Sequence, residues 1–144
     1  MEFLKTYLDL MVFGILGIMS FFTVWFAIER LVYYRRIALA EYDHAETLNV
    51  LLTRNLTVIS SIGSNAPYVG LLGTVLGILI TFHDLGQGGN IDAASIMLGL
   101  ALALKATAAG LLVAIPAILV YNGLLRKVDV LTASWNKVQA STGS

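Results

Sequence analysis

The stretch APYVGLLGTVLGILITF, residues 66–82, is apolar enough to lie in lipid, yet it holds three glycines and two threonines. A helix that only faced acyl chains would do better with leucine throughout. Gly70, Gly73 and Gly77 recur at steps of three and four, so they share one side of a helix, with Thr74 and Thr81 beside or among them. A matching ridge of small residues follows in the next apolar segment: Gly99, Ala103, Ala106, Gly110, Ala114 and Ala117, bordered by Thr107. Small ridges let backbones approach closely, which matters in lipid because helix association there depends largely on packing. Gly70, Gly73, Gly77, Ala103, Ala106 and Gly110 are therefore expected to pack helix on helix.

The rest of the composition agrees with a membrane setting. Of 144 residues, 58% are hydrophobic and 12% charged, against about 25% charged in a usual soluble domain. Mean hydropathy is +0.81, and the apolar residues lie in long blocks, the pattern of an integral membrane protein. Net charge is zero, so there is no electrostatic case for nucleic-acid binding. There is no cysteine, which excludes disulfides, thiolate catalysis and cysteine metal sites. His44 and His83, the two histidines, fall in different segments, so no metal site or other cofactor is expected. No nucleophile–base pair is evident, and an enzyme is not expected.

Three spans are predicted, at about residues 8–28, 66–82 and 93–125, the third interrupted only by Lys105. The apolar run from Leu10 to Ile28 is too long for a signal peptide and no small-residue cleavage site follows it, so it reads as a retained helix. Arg30, Arg35, Arg36 and Arg54 follow span one, and Arg126 and Lys127 follow span three. The other side holds only Lys5. By the positive-inside tendency the N-terminus faces out and the C-terminus faces the cytoplasm. HDLGQGGNID, residues 83–92, is the clearest turn, with Asp92 as N-cap of span three. Leu48, Leu52, Leu56, Ile59 and Ile62 before span two fall at helical spacing. So do Leu124, Val128, Leu131, Trp135 and Val138 after span three. Both segments, about residues 38–64 and 126–140, are expected as helical extensions that pack together below the membrane, within one domain spanning residues 1–144.

The hydroxyls ask for more than packing. Back-bonding to the residue's own helix is sufficient for Thr81. At 1.5 Å per residue Thr74 is expected roughly 13 Å, and Thr107 roughly 22 Å, below the outer loop. Both depths are inside the hydrocarbon layer, where polar groups face protein or water. Two polar rings around an axis would make a narrow conduit, which one three-span chain is too small to enclose. A homo-oligomer is expected.

APYVGLLGTVLGI and ALKATAAGLLVAIPAILVYN resemble the paired signatures of the ExbB/TolQ/MotA proton-channel family, and IERLVYYRR after span one fits as well. The resemblance covers most of the chain, in the right order. Its short length and the AIPAILVYN ending resemble most the branch that energises TonB-dependent uptake. The Tol-type branch of envelope maintenance is nearly as similar, while the MotA branch usually has four spans. The resemblance implies an all-α, multi-pass protein of the bacterial inner membrane, assembled as a pentameric ring. It implies an ExbD-like single-span partner whose membrane aspartate carries protons, and a TonB-like protein that passes on the force. It also implies that Thr74 and Thr107, matching the threonines of GLLGT and ATA, face that aspartate and line the proton path.

One position departs from the pattern. Many relatives of the TonB-linked branch carry glutamate five residues before the ATA threonine, where this chain has Leu102. No Asp or Glu lies between Asp92 and Asp129, so a proton-carrying carboxylate is expected from a partner chain. Lys105 stands three residues on, roughly 20 Å below the outer loop, where a lysine costs about 2.5–3.5 kcal/mol on insertion scales. It is a candidate for pairing with a partner's acid, the alternative being a stem that snorkels to the headgroups. Lys105 and Thr107 point about 160° apart, so both cannot face one pore, whereas Leu102 and Lys105 are about 60° apart.

Glu29 and Arg30 are expected at the inner interface, against another subunit or lipid headgroups, with Trp25, Tyr33 and Tyr34 as an aromatic belt. Pro67 is expected to begin span two, Pro116 to kink span three, and His83 to sit at the outer mouth. A passive scaffold for a partner helix is the second functional class. A small solute transporter is the third, ranked last because neither internal repeats nor an intramembrane acid is visible.

Overall fold

A computed structural model describes residues 2–37, 45–88 and 92–142. Four helices follow in order: α1 (Glu2–Arg36), α2 (Ala45–Leu52), α3 (Leu56–Gly88) and α4 (Ala93–Thr142). Three of them, α1, α3 and α4, are long and apolar enough to cross a membrane. At 1.5 Å per residue, α3 is about 50 Å long and α4 about 75 Å, both well beyond a hydrocarbon core of about 30 Å.

Local chemistry explains the helix ends. Basic Arg35 and Arg36 close α1, where cations suit the negative end of the helix dipole. Asp92 caps α4: its Oδ1 accepts from the Ala94 N–H at 3.2 Å, and its carbonyl accepts from Ile96 at 3.1 Å. Between α2 and α3 the chain turns through Thr53–Asn55. Thr53 N–H donates to the Asn49 carbonyl at 2.9 Å, and Asn55 takes a φ of 68°. Asn is among the few side-chain-bearing residues that enter this left-handed region readily.

Two expectations about helix ends are corrected. Pro67 does not begin a helix; it lies inside α3, which starts eleven residues earlier at Leu56. The segment before span two is itself apolar on one face, so the helix continues through the proline, leaving only the Gly63 carbonyl without its usual donor. At the other end α3 runs six residues past the expected stop at Phe82, through Gly86 to Gly88. The turn residues Gly89, Asn90 and Ile91 lie outside the described residues. Pro116 sits in mid-helix and α4 continues through it.

α3 and α4 form the principal seam, and α1 packs across both. One core cluster joins Val12 and Leu16 of α1 to Ala66, Ala106 and Ala114. The other, farther from the α3–α4 connection, joins Tyr34, Leu48, Leu52, Leu56 and Ile59 to Leu124, Val128 and Trp135. The helical segments on either side of spans two and three thus share one core. Elsewhere large apolar side chains face outward: Leu112 is 74% exposed and Met97 70%. Such an apolar exterior suits lipid, or other subunits, as its solvent.

Candidate functional site

The α3–α4 seam is built by the absence of side chains. A Cβ on Gly70 would come within 2.5 Å of the Ala106 carbonyl oxygen and 3.0 Å of the Gly110 Cα. One on Gly110 would meet the Ala66 carbonyl oxygen at 2.7 Å. A Cβ on Gly73 would lie 2.9 Å from the Ala106 Cβ and 3.1 Å from Val12, and one on Gly77 3.1 Å from the Ala103 Cβ. All six residues of the two small ridges named for packing therefore meet one another across this seam. Gly99 serves the same purpose against Thr81, whose Oγ1 donates back to the Gly77 carbonyl at 2.9 Å.

In the middle of the seam stand Thr74 and Thr107. Their hydroxyl oxygens are in direct, short hydrogen-bond contact. Thr74 Oγ1 also donates to the Ala103 carbonyl at 2.8 Å, with the Gly70 carbonyl at 3.3 Å. The two threonines were expected at different depths; the structure puts them at one level. The extra turns of α3 are the reason. Thr74 is fourteen residues from Gly88 and Thr107 fourteen from Ala93, about 21 Å in each case. Nor are the two equivalent. Thr74 is buried, 6% exposed, enclosed between the helices, while Thr107 is only half-buried.

Ala103 stands four residues before Thr107, so its carbonyl is the acceptor Thr107 would use for a back-bond. Thr74 takes that acceptor from across the seam. With its one proton on Ala103, Thr74 is left to accept from Thr107, whose oxygen keeps both of its lone pairs as acceptors.

Lys105 and Leu102 are both exposed on α4. His83 is exposed beside Leu79, Ile80 and Phe82. Arg30 takes a different place from the lipid or subunit interface expected of it. Its side chain is 2% exposed and turned inward, donating from Nη1 to the Leu51 carbonyl at 2.6 Å. Its Nε and Nη2 donate to the two carboxylate oxygens of Glu29 at 2.6 and 2.5 Å, and its guanidinium lies 4.4 Å from the Tyr33 ring centre. Asn55 Nδ2 donates to Glu29 at 3.4 Å. Tyr34 is likewise buried, its hydroxyl donating to the Leu52 carbonyl at 2.5 Å. Of the expected aromatic belt, Trp25 faces outward.

Asp9 and Asp84 did not stand out in the sequence. Asp84 has a buried carboxylate oxygen with no hydrogen-bond partner, and Asp9 lines a cavity with Lys5, Thr81 and Leu102. An acid about two turns inside an apolar helix, four residues after a lysine, was the available signal for Asp9. No group of three or more His, Cys, Asp or Glu that could hold a metal occurs among the described residues.

A close-packed apolar hairpin with a hydroxyl pair at mid-length defines a multi-pass membrane protein with a polar spot inside its spans. Comparison with known proteins narrows the class. Residues 34–137 match the MotA/TolQ/ExbB proton channel family. The chain is 57% identical over 132 residues to Biopolymer transport protein ExbB of Helicobacter pylori strain J99, covering 92% of this chain and 91% of the relative. It is 44% identical over 144 residues to Biopolymer transport protein ExbB of Aquifex aeolicus, covering 100% and 97%. It is 47% identical over 133 residues to the putative biopolymer transport protein ExbB-like 2 of Helicobacter pylori, covering 92% and 89%. The chain belongs to the MotA/TolQ/ExbB proton channel family.

Proposed function

We propose that this chain is the proton-channel subunit of a bacterial inner-membrane complex that uses the proton-motive force to energise TonB-dependent outer-membrane transport. In this reading it is no enzyme. It works as a ring, a pentamer by family resemblance, around an ExbD-like single-span partner with a membrane aspartate, and passes force on through a TonB-like protein. Its N-terminus faces the periplasm and its C-terminus the cytoplasm. The single observation that carries the reading is the Thr74–Thr107 pair held across the glycine seam. The names of the relatives favour the TonB-linked role over the Tol-type one.

The chemistry follows from the hydrogen-bond order. Thr107 spends its proton on Thr74 and offers a lone pair outward. An acceptor oxygen in a low-dielectric setting favours a neutral carboxylic acid, which can donate, over a carboxylate, which cannot. Thr107 thus holds a partner's aspartate in its protonated form and releases it on deprotonation. That preference links proton transfer to movement of the partner helix. Lys105, on the far side of α4 from Thr107, is assigned to pairing with an acid of the partner or a neighbouring subunit, outside the proton path. Replacing Thr107 by valine is expected to abolish energised uptake while the oligomer and partner binding persist. Normal uptake in Thr107→Val cells defeats the polar-conduit role.

A further inference from the structure

The seam opens into a cavity of about 50 Å³ toward the α3–α4 connection. Its walls come from all three long helices: Lys5, Leu8 and Asp9 of α1, Gly77 and Thr81 of α3, and Gly99, Leu102 and Ala103 of α4. That volume exceeds the roughly 10–15 Å³ of probe-occupied space one water needs. Lys5, Asp9 and the Thr81 hydroxyl supply polar partners.

The cavity's depth relates it to the hydroxyl pair. Val12 packs against the Gly73 position, next to Thr74. Asp9 precedes Val12 by three residues, so it stands about 4.5 Å nearer the α3–α4 connection than the threonine level. Lys5 is about 6 Å farther out again. Ala103, which lines the cavity, is also the residue whose carbonyl accepts from Thr74. The cavity therefore abuts the threonine pair through one residue. Among the described residues no ion pair ties Asp9 to Lys5. The other titratable groups toward this end are Asp84 and His83 on α3, with Asp84 three residues on from Thr81, and α4 contributes none between Asp92 and Lys105. Asp9 is exposed at the rim of this cavity, at the outer end of the first span, where water reaches the carboxylate directly.

We propose that Asp9 is a proton-accepting carboxylate of this chain, exchanging protons with water held in the cavity and passing them to the Thr74–Thr107 level. A proton reaches the Asp9 carboxylate from water at the α3–α4 end. It leaves to a cavity water on the threonine side, so the group is unchanged after each passage. Lys5 acts as an electrostatic neighbour that keeps other cations out of the cavity. The acid missing from α4 thus has a counterpart at the outer end of α1. This inference rests on the proton-channel reading and adds a residue to it.

The test is proton flux into liposomes carrying the complete complex of this chain with its single-span partner, read with a trapped pH dye. Asp9→Asn is expected to lower flux about tenfold, with Asp9→Glu close to wild type and complex recovery unchanged. Because Leu102 lines the same cavity, Asp9→Asn combined with Leu102→Glu is expected to restore most of the flux. A purely structural role for Asp9 would not give that rescue. Wild-type flux in Asp9→Asn overturns the Asp9 assignment and leaves the channel reading standing. Reduced flux without rescue by Leu102→Glu also overturns it. Absence of flux in the wild-type complex overturns both.

Discussion

Thr74 and Thr107, taken as single residues, divide one task. A threonine in a helix ordinarily satisfies itself on the carbonyl four residues back. Thr74 occupies that carbonyl of Thr107, at Ala103, and so leaves the Thr107 hydroxyl in contact with Thr74 itself. Thr74→Val frees the Ala103 carbonyl, and Thr107 then back-bonds to it with its proton withdrawn from the seam. Uptake is expected to fall severalfold, with a stability loss of about 1 kcal/mol for the lost hydrogen bond. Thr74→Ser keeps the hydroxyl and is expected to retain uptake. Paired growth assays on a transported substrate check both. Equal loss in Thr74→Ser and Thr74→Val would show that the methyl, not the hydroxyl, matters. The residue types of this site were legible from the sequence. That one of them hides the other was not, because burial depends on how closely two helices approach.

Along the helices, glycine separates into two uses. Gly70 lies against backbone: an added methyl meets the Ala106 carbonyl oxygen and Gly110. Backbone cannot step aside as a flexible side chain can, so Gly70→Ala must push α3 and α4 apart, at about 1–3 kcal/mol as for other overpacked sites. At Gly14 and Gly17 of α1 an added methyl would have nothing within 4 Å. Gly14→Ala is therefore expected to be neutral or slightly stabilising, by up to about 1 kcal/mol from helix propensity. Thermal melts of the two variants in detergent give the comparison; similar losses for both would mean that the seam is not the stability determinant. Spacing alone identified the glycine ridge of α3. It also marked the ridge of α4, because a repeat of three and four residues reports helix face directly.

Across the fold as a whole, Arg30 joins α1 to the turn between α2 and α3. Its guanidinium binds the Leu51 carbonyl and Glu29, and Asn55 reaches the same carboxylate. Arg30→Met leaves the Leu51 carbonyl and Glu29 without this partner. The expected cost is about 1.5–3 kcal/mol, the range for hydrogen bonds to charged groups. Arg30→Lys is expected to recover little, since an ammonium lacks the fork that grips both carboxylate oxygens. The midpoint of thermal unfolding checks both, and an unshifted midpoint in Arg30→Met would deny the clamp a structural role. The ordinary habit of a basic residue at the end of a span would send Arg30 outward. Its carbonyl partner lies twenty-one residues away at Leu51, and the tertiary fold brings the two together.

Three apolar spans, the small-residue faces of two of them, the Asp92 cap and the types of the polar residues at mid-depth were all legible in the chain before any folding. All of these are local properties, written in composition and in a period of 3.6 residues. Helix packing alone set the axial register of α3 against α4, which put Thr74 level with Thr107. It also set the position of α1, which brought Asp9 to the cavity and Arg30 to its clamp. Periodicity reports which way a side chain points around a helix. It says nothing of how far one helix slides along another, which is settled by contacts across the seam such as the close backbone approach at Gly70 and Gly110.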